Sequence, residues 1–443
     1  MRDLLVTFIA LGSIPLILRN PWVGVLCFSW LSYMSPHRLA YGFAHDFPFA
    51  AIVAGATLVS IFLNKETRNT PVNTLVILWV VWILWMNVTT IFSLIPLDAI
   101  IEWKRSMKIQ LMALITVMLM QSPQRIKLLV WVIALSIGFF GIKGGVFSLL
   151  SGGNYRVWGP PGSFIEGNNP LALALLMILP LLFFLQQNTS NKWIKYGLLI
   201  AMPLIALSIL TSYSRGAFLA AVAVTIYLIL NSRKKIILSV LVIIMAAGGL
   251  NFMPEKYFDR INTIKTYEDD GSAMGRINAW YYAYNLAKDR PIVGGGFSAF
   301  DPDLFQIYAP EPDDFHDAHS IYFEVLAEQG FVGLGIFLLL GATALRYGSK
   351  IKKTTKDINE LRWAYDLSSM IQVSIIGYAV GGAFLGLAYY DLYYHLISLI
   401  ILIKIEVDKV LSPAGSSNNI VSKKSALSNK ATNSSSNNPG DTR

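Results

Sequence analysis

The sequence predicts an all-α integral membrane protein of about twelve transmembrane helices, with one long outer loop that holds short helices. Three observations carry that prediction. Only 14% of the 443 residues are charged, against roughly 25% in a soluble domain. The mean hydropathy is +0.52, and the apolar residues stand in long blocks. Those blocks are continuous rather than alternating, which selects helices over a membrane barrel.

In chain order, apolar blocks of spanning length lie near 48–63, 74–94, 128–149, 170–186, 194–211, 216–230, 236–253, 321–345 and 368–388. Shorter or weaker blocks lie near 4–18, 22–35, 109–120 and 391–405. The first follows Met1-Arg2-Asp3 with no small-residue cleavage site, which predicts a retained helix rather than a signal peptide. Residues 1–411 form the membrane domain, and its long loop covers about 254–320. Residues 412–443 are rich in Ser, Asn and Lys and nearly free of large apolar residues, which predicts a disordered tail on the cytoplasmic side.

Charge sets the orientation. Lys65 and Arg68, Arg125 and Lys127, Lys192 and Lys195, Arg233 to Lys235, and the 346–362 segment fall on one side when the spans are threaded alternately. That side is cytoplasmic. The loop 254–320 falls on the other side and carries six basic against twelve acidic residues. The net charge of +9 thus reflects cytoplasmic loops and lipid headgroups, not nucleic-acid binding. Cys27 is the single cysteine, which excludes an intrachain disulfide and a thiol metal site.

Three polar clusters meet on the outer side. Thr211-Ser212-Tyr213-Ser214-Arg215-Gly216 is a tight turn whose Arg215 offers a planar fork to a phosphate; an arginine snorkelling to headgroups is the plainer alternative. Ser272 to Trp280 carries Arg276, which opens an amphipathic helix, Ile277 to Ala287, with Trp280, Tyr281, Tyr282 and Tyr284. That helix either lies at the interface or stacks sugars. Gly294-Gly295-Gly296 lacks the strand–turn–helix context of a nucleotide fingerprint and predicts a turn or a close backbone approach. The third cluster is Asp313-Asp314-Phe315-His316-Asp317-Ala318-His319-Ser320, directly before a span. A helix N-terminus disfavours imidazolium, so His319 is placed to be neutral and to accept a proton. His316 and Asp317 beside it strengthen that role, while His-x-x-His with carboxylates leaves a metal site as a rival. Glu324 lies inside the span, one turn from Glu328, and needs a polar cavity or a base as partner. Asp391, His395, Arg156, Asn168 and Asn169 are further candidates for ligand contact or support. Trp103, Lys104 and Arg105 suit an interfacial belt.

These clusters resemble the O-antigen ligase and polymerase superfamily of bacterial membrane glycosyltransferases over most of the chain. Tyr155 to Asn169, Ser212 to Gly216, Gly275 to Trp280 and His319 to Leu326 carry the resemblance, with Trp30 to Arg38 in the N-terminal third. Within it these stretches resemble the branch of O-glycosylation ligases associated with exosortase A systems. The resemblance implies a glycan donor on undecaprenyl diphosphate and an acceptor hydroxyl, on a lipid A–core sugar or a protein Ser or Thr, at the periplasmic face of the inner membrane. It implies metal-independent, inverting transfer without a cofactor. By that resemblance Arg215 and Arg276 hold the diphosphate and His319 is the base. A polymerase of the same superfamily uses the same donor and is the first alternative. A lipid-linked oligosaccharide transporter is the alternative from another class, but it calls for polar residues through the membrane depth, whereas these cluster on one face.

Overall fold

The computed structural model describes residues 2–64, 72–231 and 271–412. The predicted span at 236–253, the first part of the long loop and the tail beyond residue 412 lie outside the described residues.

Among the described residues the chain is helical, with one isolated bridge between Gly159 and Gly167 and no strand. The first weak apolar block is two short helices, α1 (Arg2–Gly12) and α2 (Ile14–Arg19), interrupted at Ser13 before Pro15. Next come α3 (Pro21–Met34), α4 (Phe49–Leu63), α5 (Thr74–Ile91), α6 (Pro96–Leu119) and α7 (Pro123–Leu150). They are followed by α8 (Asn168–Gln187), α9 (Lys192–Leu210) and α10 (Arg215–Asn231). The remaining helices are α11 (Gly271–Asp289), α12 (Pro302–Tyr308), α13 (Ile321–Thr355), α14 (Arg362–Gly381) and α15 (Asp391–Leu411).

Among the described residues six stretches are long and apolar enough to cross a bilayer: α5, α7, α8, α9, α13, and Asn359–Phe384, which contains α14. The shorter α4 and α10 are also apolar. Phe8, Phe62, Leu84, Leu97, Leu150 and Ile200 stand out from the bundle with more than half their surface uncovered. On a soluble protein such a surface would drive aggregation; in lipid it is the solvent-matched face. The chain is an all-α, multi-pass membrane protein.

The centre of the bundle is α8 and α15. Both are almost wholly enclosed, as shown by the unbroken buried run Leu392–Ile403. α8 packs on α9 and α14, α7 on α3 and α9, and α15 on α6 and α14. Two indole N–H groups inside this core find partners, as a medium without water favours. Trp79 Nε1 donates to Gln110 Oε1 at 2.7 Å and Trp82 Nε1 to the Tyr394 hydroxyl at 3.1 Å.

Alternate threading gathers the connections at two ends. At one end Lys127 Nζ donates to the Asn188 carbonyl, Lys409 Nζ to that of Gln121, and Asn64 to that of Leu18, while Arg125 lies over the Trp22 ring. This end also carries Lys350, Lys352, Lys353, Lys356 and Arg362 and is the basic end. The opposite, loop-rich end brings together residues 35–48, 92–95, 151–167, 211–214, 290–320 and 382–390.

α13 is not one continuous rod. Gly330 adopts φ 68° and ψ −175°, outside helical space, and splits the helix into a short half at the loop-rich end, Ile321 to Gln329, here called the outer half, and a long half towards the basic end, the inner half. The break exposes carbonyls of the preceding turn. Gly295 N–H donates to the Ala327 carbonyl at 2.7 Å, and Gly296 N–H to that of Glu328 at 2.9 Å. The glycine triplet is therefore a close backbone approach, one of the two outcomes its composition allowed. A Cβ on Gly294 would come 2.5 Å from the Ala327 carbonyl oxygen, a distance only glycine tolerates.

Candidate functional site

The outer half of α13 places the third cluster. His319 is the residue before the N-cap Ser320 and adopts φ 42°, the left-handed region that a β-carbon disfavours. Such strain persists where the surroundings over-determine the conformation, and here the surroundings are visible. Trp280 Nε1 donates to the Ala318 carbonyl at 2.8 Å, and the Trp280 ring stacks on Phe323 with centroids 4.9 Å apart. Asn278 clamps the same strap twice over. Its Nδ2 donates to the carbonyls of Glu311 and Asp314 at 2.7 and 3.2 Å, and its Oδ1 accepts from Glu311 N–H at 3.0 Å. One helix, α11, thus carries Arg276 and holds the segment that carries His319.

α11 begins at Gly271, several residues before the start at Ile277 read from the sequence. Arg276 therefore lies within the helix, with its Nε shielded from solvent. The reason is packing on both sides. Ala279, Tyr282, Ala283 and Leu286 form one buried cluster with Ala299, Phe305 and Ala327. One turn earlier, Gly275 lies flat against the His316 ring, where a Cβ would come 2.5 Å from Nδ1. His316 Nδ1 is in turn 3.2 Å from Asp314 Oδ1.

The electrostatics suit a neutral imidazole. Burial holds His319 below the ordinary histidine value, and Arg276 pushes it in the same direction; Asp317 opposes them, and His316 adds to the lowering. Loss of water and a neighbouring guanidinium both disfavour the charged form.

The first cluster reaches the same region through the α14–α15 connection. Gly216 abuts Phe384, where an added Cβ would meet the Phe384 Cβ at 2.9 Å. Gly382 abuts the Ile321 side chain, and a Cβ on Gly386 would come within 3.9 Å of the His319 Cα. With two peptide links between Phe384 and Gly386, the Gly216 and His319 backbones are within about 20 Å of each other. The turn bearing Arg215 is held from the other side. Val157 N–H donates to the Thr211 carbonyl at 3.2 Å, Asn168 Nδ2 to that of Ser212 at 2.8 Å, and the Tyr213 hydroxyl to that of Gly153 at 2.8 Å. Asn168 is thus placed as a support of the Arg215 turn. Arg156 is exposed, on the loop docked against that turn, close enough to Tyr213 to act on it electrostatically.

Glu324 Oε2 accepts from Ala388 N–H at 3.1 Å, and Glu328 accepts from Ser298 N–H at 2.9 Å and from the Tyr389 hydroxyl at 2.7 Å. Both acids brace the connections around His319, and their carboxyl oxygens are met by hydrogen bonds. Asp391 is buried and accepts from Ser32 Oγ at 2.5 Å, while His395 Nδ1 lies 2.7 Å from the Tyr33 hydroxyl. Among the described residues no three His, Cys, Asp or Glu side chains gather as metal ligands.

Arg105, read from the sequence as part of an interfacial belt, has a packing partner in the structure. Arg105 lies with its guanidinium 3.8 Å from the Phe164 ring centroid, and Phe164 in turn contacts Tyr390.

Residues 200–338 match the family described as O-Antigen ligase, a stretch that includes Arg215, Arg276, His319 and Glu324. Residues 1–190 match a family of unknown function (DUF5935), which includes Arg156 and Asn168. No curated protein gives a significant match. The hydrogen bond from Asn168 to Ser212 joins the two matched stretches, and Asp391 lies beyond both. The match over residues 200–338 supports the O-antigen ligase/polymerase superfamily and, in general terms, a glycan-transferring membrane enzyme.

Proposed function

We propose that the protein transfers a glycan from undecaprenyl diphosphate to an acceptor hydroxyl, on a lipid A–core sugar or a protein Ser or Thr. The loop-rich end would face the periplasm, because the short basic connections collect at the other end. The chain would then sit in the inner membrane with its site outward. The observation that carries the proposal is the double clamp of α11 on the His319 strap through Asn278 and Trp280. It makes one rigid unit of a guanidinium and an imidazole held neutral.

In this reading Arg276 and Arg215 bind the donor diphosphate. As the bond between the anomeric carbon and the phosphate oxygen breaks, the leaving lipid diphosphate gains charge, and fixed guanidinium groups stabilise it. Arginine stays protonated, so neither one is the base. The acceptor oxygen forms its bond to the anomeric carbon from the opposite face, and His319 takes the hydroxyl proton. The anomeric configuration inverts. Asp317 tunes His319, His316 packs against the start of α11, and Glu324, Asn168 and Asp391 hold the connections in place. Arg156 is placed to meet the donor glycan or its diphosphate. The protein's own residues carry every step, with no cofactor or metal.

The test is transfer from a purified undecaprenyl-diphosphate glycan to defined acceptors by the wild type and by Arg215→Ala, Arg276→Ala and His319→Ala. Each variant should insert and fold yet lose at least about a hundredfold in turnover. Wild-type rates in all three would reject the site. Product length with one acceptor equivalent distinguishes single transfer from polymerisation.

A further inference from the structure

α11 has two working faces. One is packed on the loop-rich end; the other is a groove of about 410 Å³ lined by Ile277, Trp280, Tyr281, Tyr284 and, from α13, Phe323. The spacing i, i+3, i+4, i+7 puts the four α11 residues on one stripe. Tyr281 and Tyr284 are about half exposed, so among the described residues the neighbouring helices leave these two rings uncovered.

Two features say what fits there. At its upper end the stripe adjoins Arg276, one turn before Trp280, with the His319 strap fixed to Trp280 itself. At its lower end Tyr284 meets the Phe331 ring edge-on, and Phe331 and Val332 are exposed just past the break in α13, where the apolar inner half of the span begins. The groove therefore runs from a cationic headgroup position towards lipid-facing surface. Apart from the two tyrosine hydroxyls its lining is aromatic and aliphatic, with no charged or amide side chain. A glycan could stack on these rings but would find only two hydroxyls for its many polar groups, which is costly, whereas a hydrocarbon chain would gain apolar burial.

We propose that this groove seats the isoprenoid chain of the lipid diphosphate donor, in the units next to its diphosphate. The inference rests on the reading that the diphosphate lies at Arg276.

The experiment uses the full-length protein in nanodiscs and undecaprenyl diphosphate with a photoreactive diazirine in the isoprene units nearest the diphosphate. Labelled peptides are mapped by mass spectrometry, with a diazirine-bearing diacyl phospholipid as the second probe. The expected result is labelling within residues 277–284 or 323–332 by the isoprenoid probe and not by the phospholipid. That labelling should be suppressed by excess inorganic diphosphate and by Arg276→Ala, and the Tyr281→Ser/Tyr284→Ser variant should raise the KM for the full-length donor about tenfold. Labelling confined to other segments but still sensitive to Arg276→Ala overturns the groove and leaves the donor reading standing. Equal labelling of the groove by the phospholipid makes it an ordinary lipid contact and also overturns the proposal. Labelling that ignores both diphosphate and Arg276→Ala, or no labelling, overturns the groove and the donor reading together.

Discussion

At the basic end of the bundle helices start in the ordinary way. Asn73, Ser122 and Asn191 cap α5, α7 and α9 through side-chain oxygens that accept backbone N–H groups, and short polar links join one helix to the next. At the loop-rich end the backbone is bent into costly shapes. The four non-glycine residues with positive φ among the described residues, Ser35, Tyr213, Ser298 and His319, are all there. So are the six loop glycines with positive φ, and the helix break at Gly330 opens towards it. The contrast teaches where this fold spends its packing. The basic end satisfies helix termini and orients the chain, and the loop-rich end uses side-chain-to-backbone clamps to hold strained segments in one geometry.

That comparison can be broken most severely at His319. The His319→Gly variant relieves the left-handed backbone and vacates the imidazole. It should lose at least about a hundredfold in transfer rate while folding at least as well as the wild type. Added imidazole should restore part of the rate, as measured by product formation across an imidazole titration; full activity without imidazole would show that the strain serves something other than proton transfer. Next in size, Gly294→Ala drives a β-carbon into the Ala327 carbonyl at a positive φ of 62°. It should cost about 3 kcal/mol, read as a fall in thermal midpoint in detergent, together with lower transfer.

Asn278→Ala cuts the clamp without touching the reacting groups. It should cost about 1–2 kcal/mol and lower turnover more than donor affinity, because it frees His319 relative to Arg276. Equal effects on both would argue for a plain loss of folded protein. Acid should reduce activity through His319. Burial and Arg276 lower its folded value, so the neutral base persists below pH 6.5 and is lost only as the pH falls further. Asp317 works the other way, so Asp317→Asn should move the acid limb of the rate profile to still lower pH. A shift upward would contradict the assignment of the limb to His319. Smallest of all, Asn191→Ala at the basic end should cost about 1 kcal/mol and leave the transfer rate per folded molecule unchanged.

Much of this was legible in the sequence because membrane physics writes itself in long blocks. The spans at 74–94, 128–149, 170–186 and 194–211 coincide with α5, α7, α8 and α9, since continuous apolar runs have one outcome in lipid. The weak blocks were less clear for physical reasons. Residues 4–18 are split at Ser13, and 109–120 is only the buried end of α6, whose first half carries Glu102, Lys104, Arg105 and Lys108. At the site, residue type and position pointed to Arg276 and His319, and the structure brings α11 against the His319 strap. What sequence alone could not supply was the partner of each polar residue. Glu324 meets the backbone of Ala388, 64 positions away, and Asp391 meets Ser32 across most of the chain. Such contacts depend on helix packing, and no local pattern encodes them.

The central claim is a division of labour on one lipid diphosphate: two arginines bind and stabilise it, and one histidine takes the proton. The most direct test measures donor affinity and single-turnover rate side by side in purified wild type, Arg276→Ala and His319→Ala. The predicted result is near-wild-type donor affinity with at least about a hundredfold loss of rate for His319→Ala, and loss of both for Arg276→Ala. A His319→Ala protein that turns over at the wild-type rate, or an Arg276→Ala protein that binds and transfers like the wild type, would contradict it.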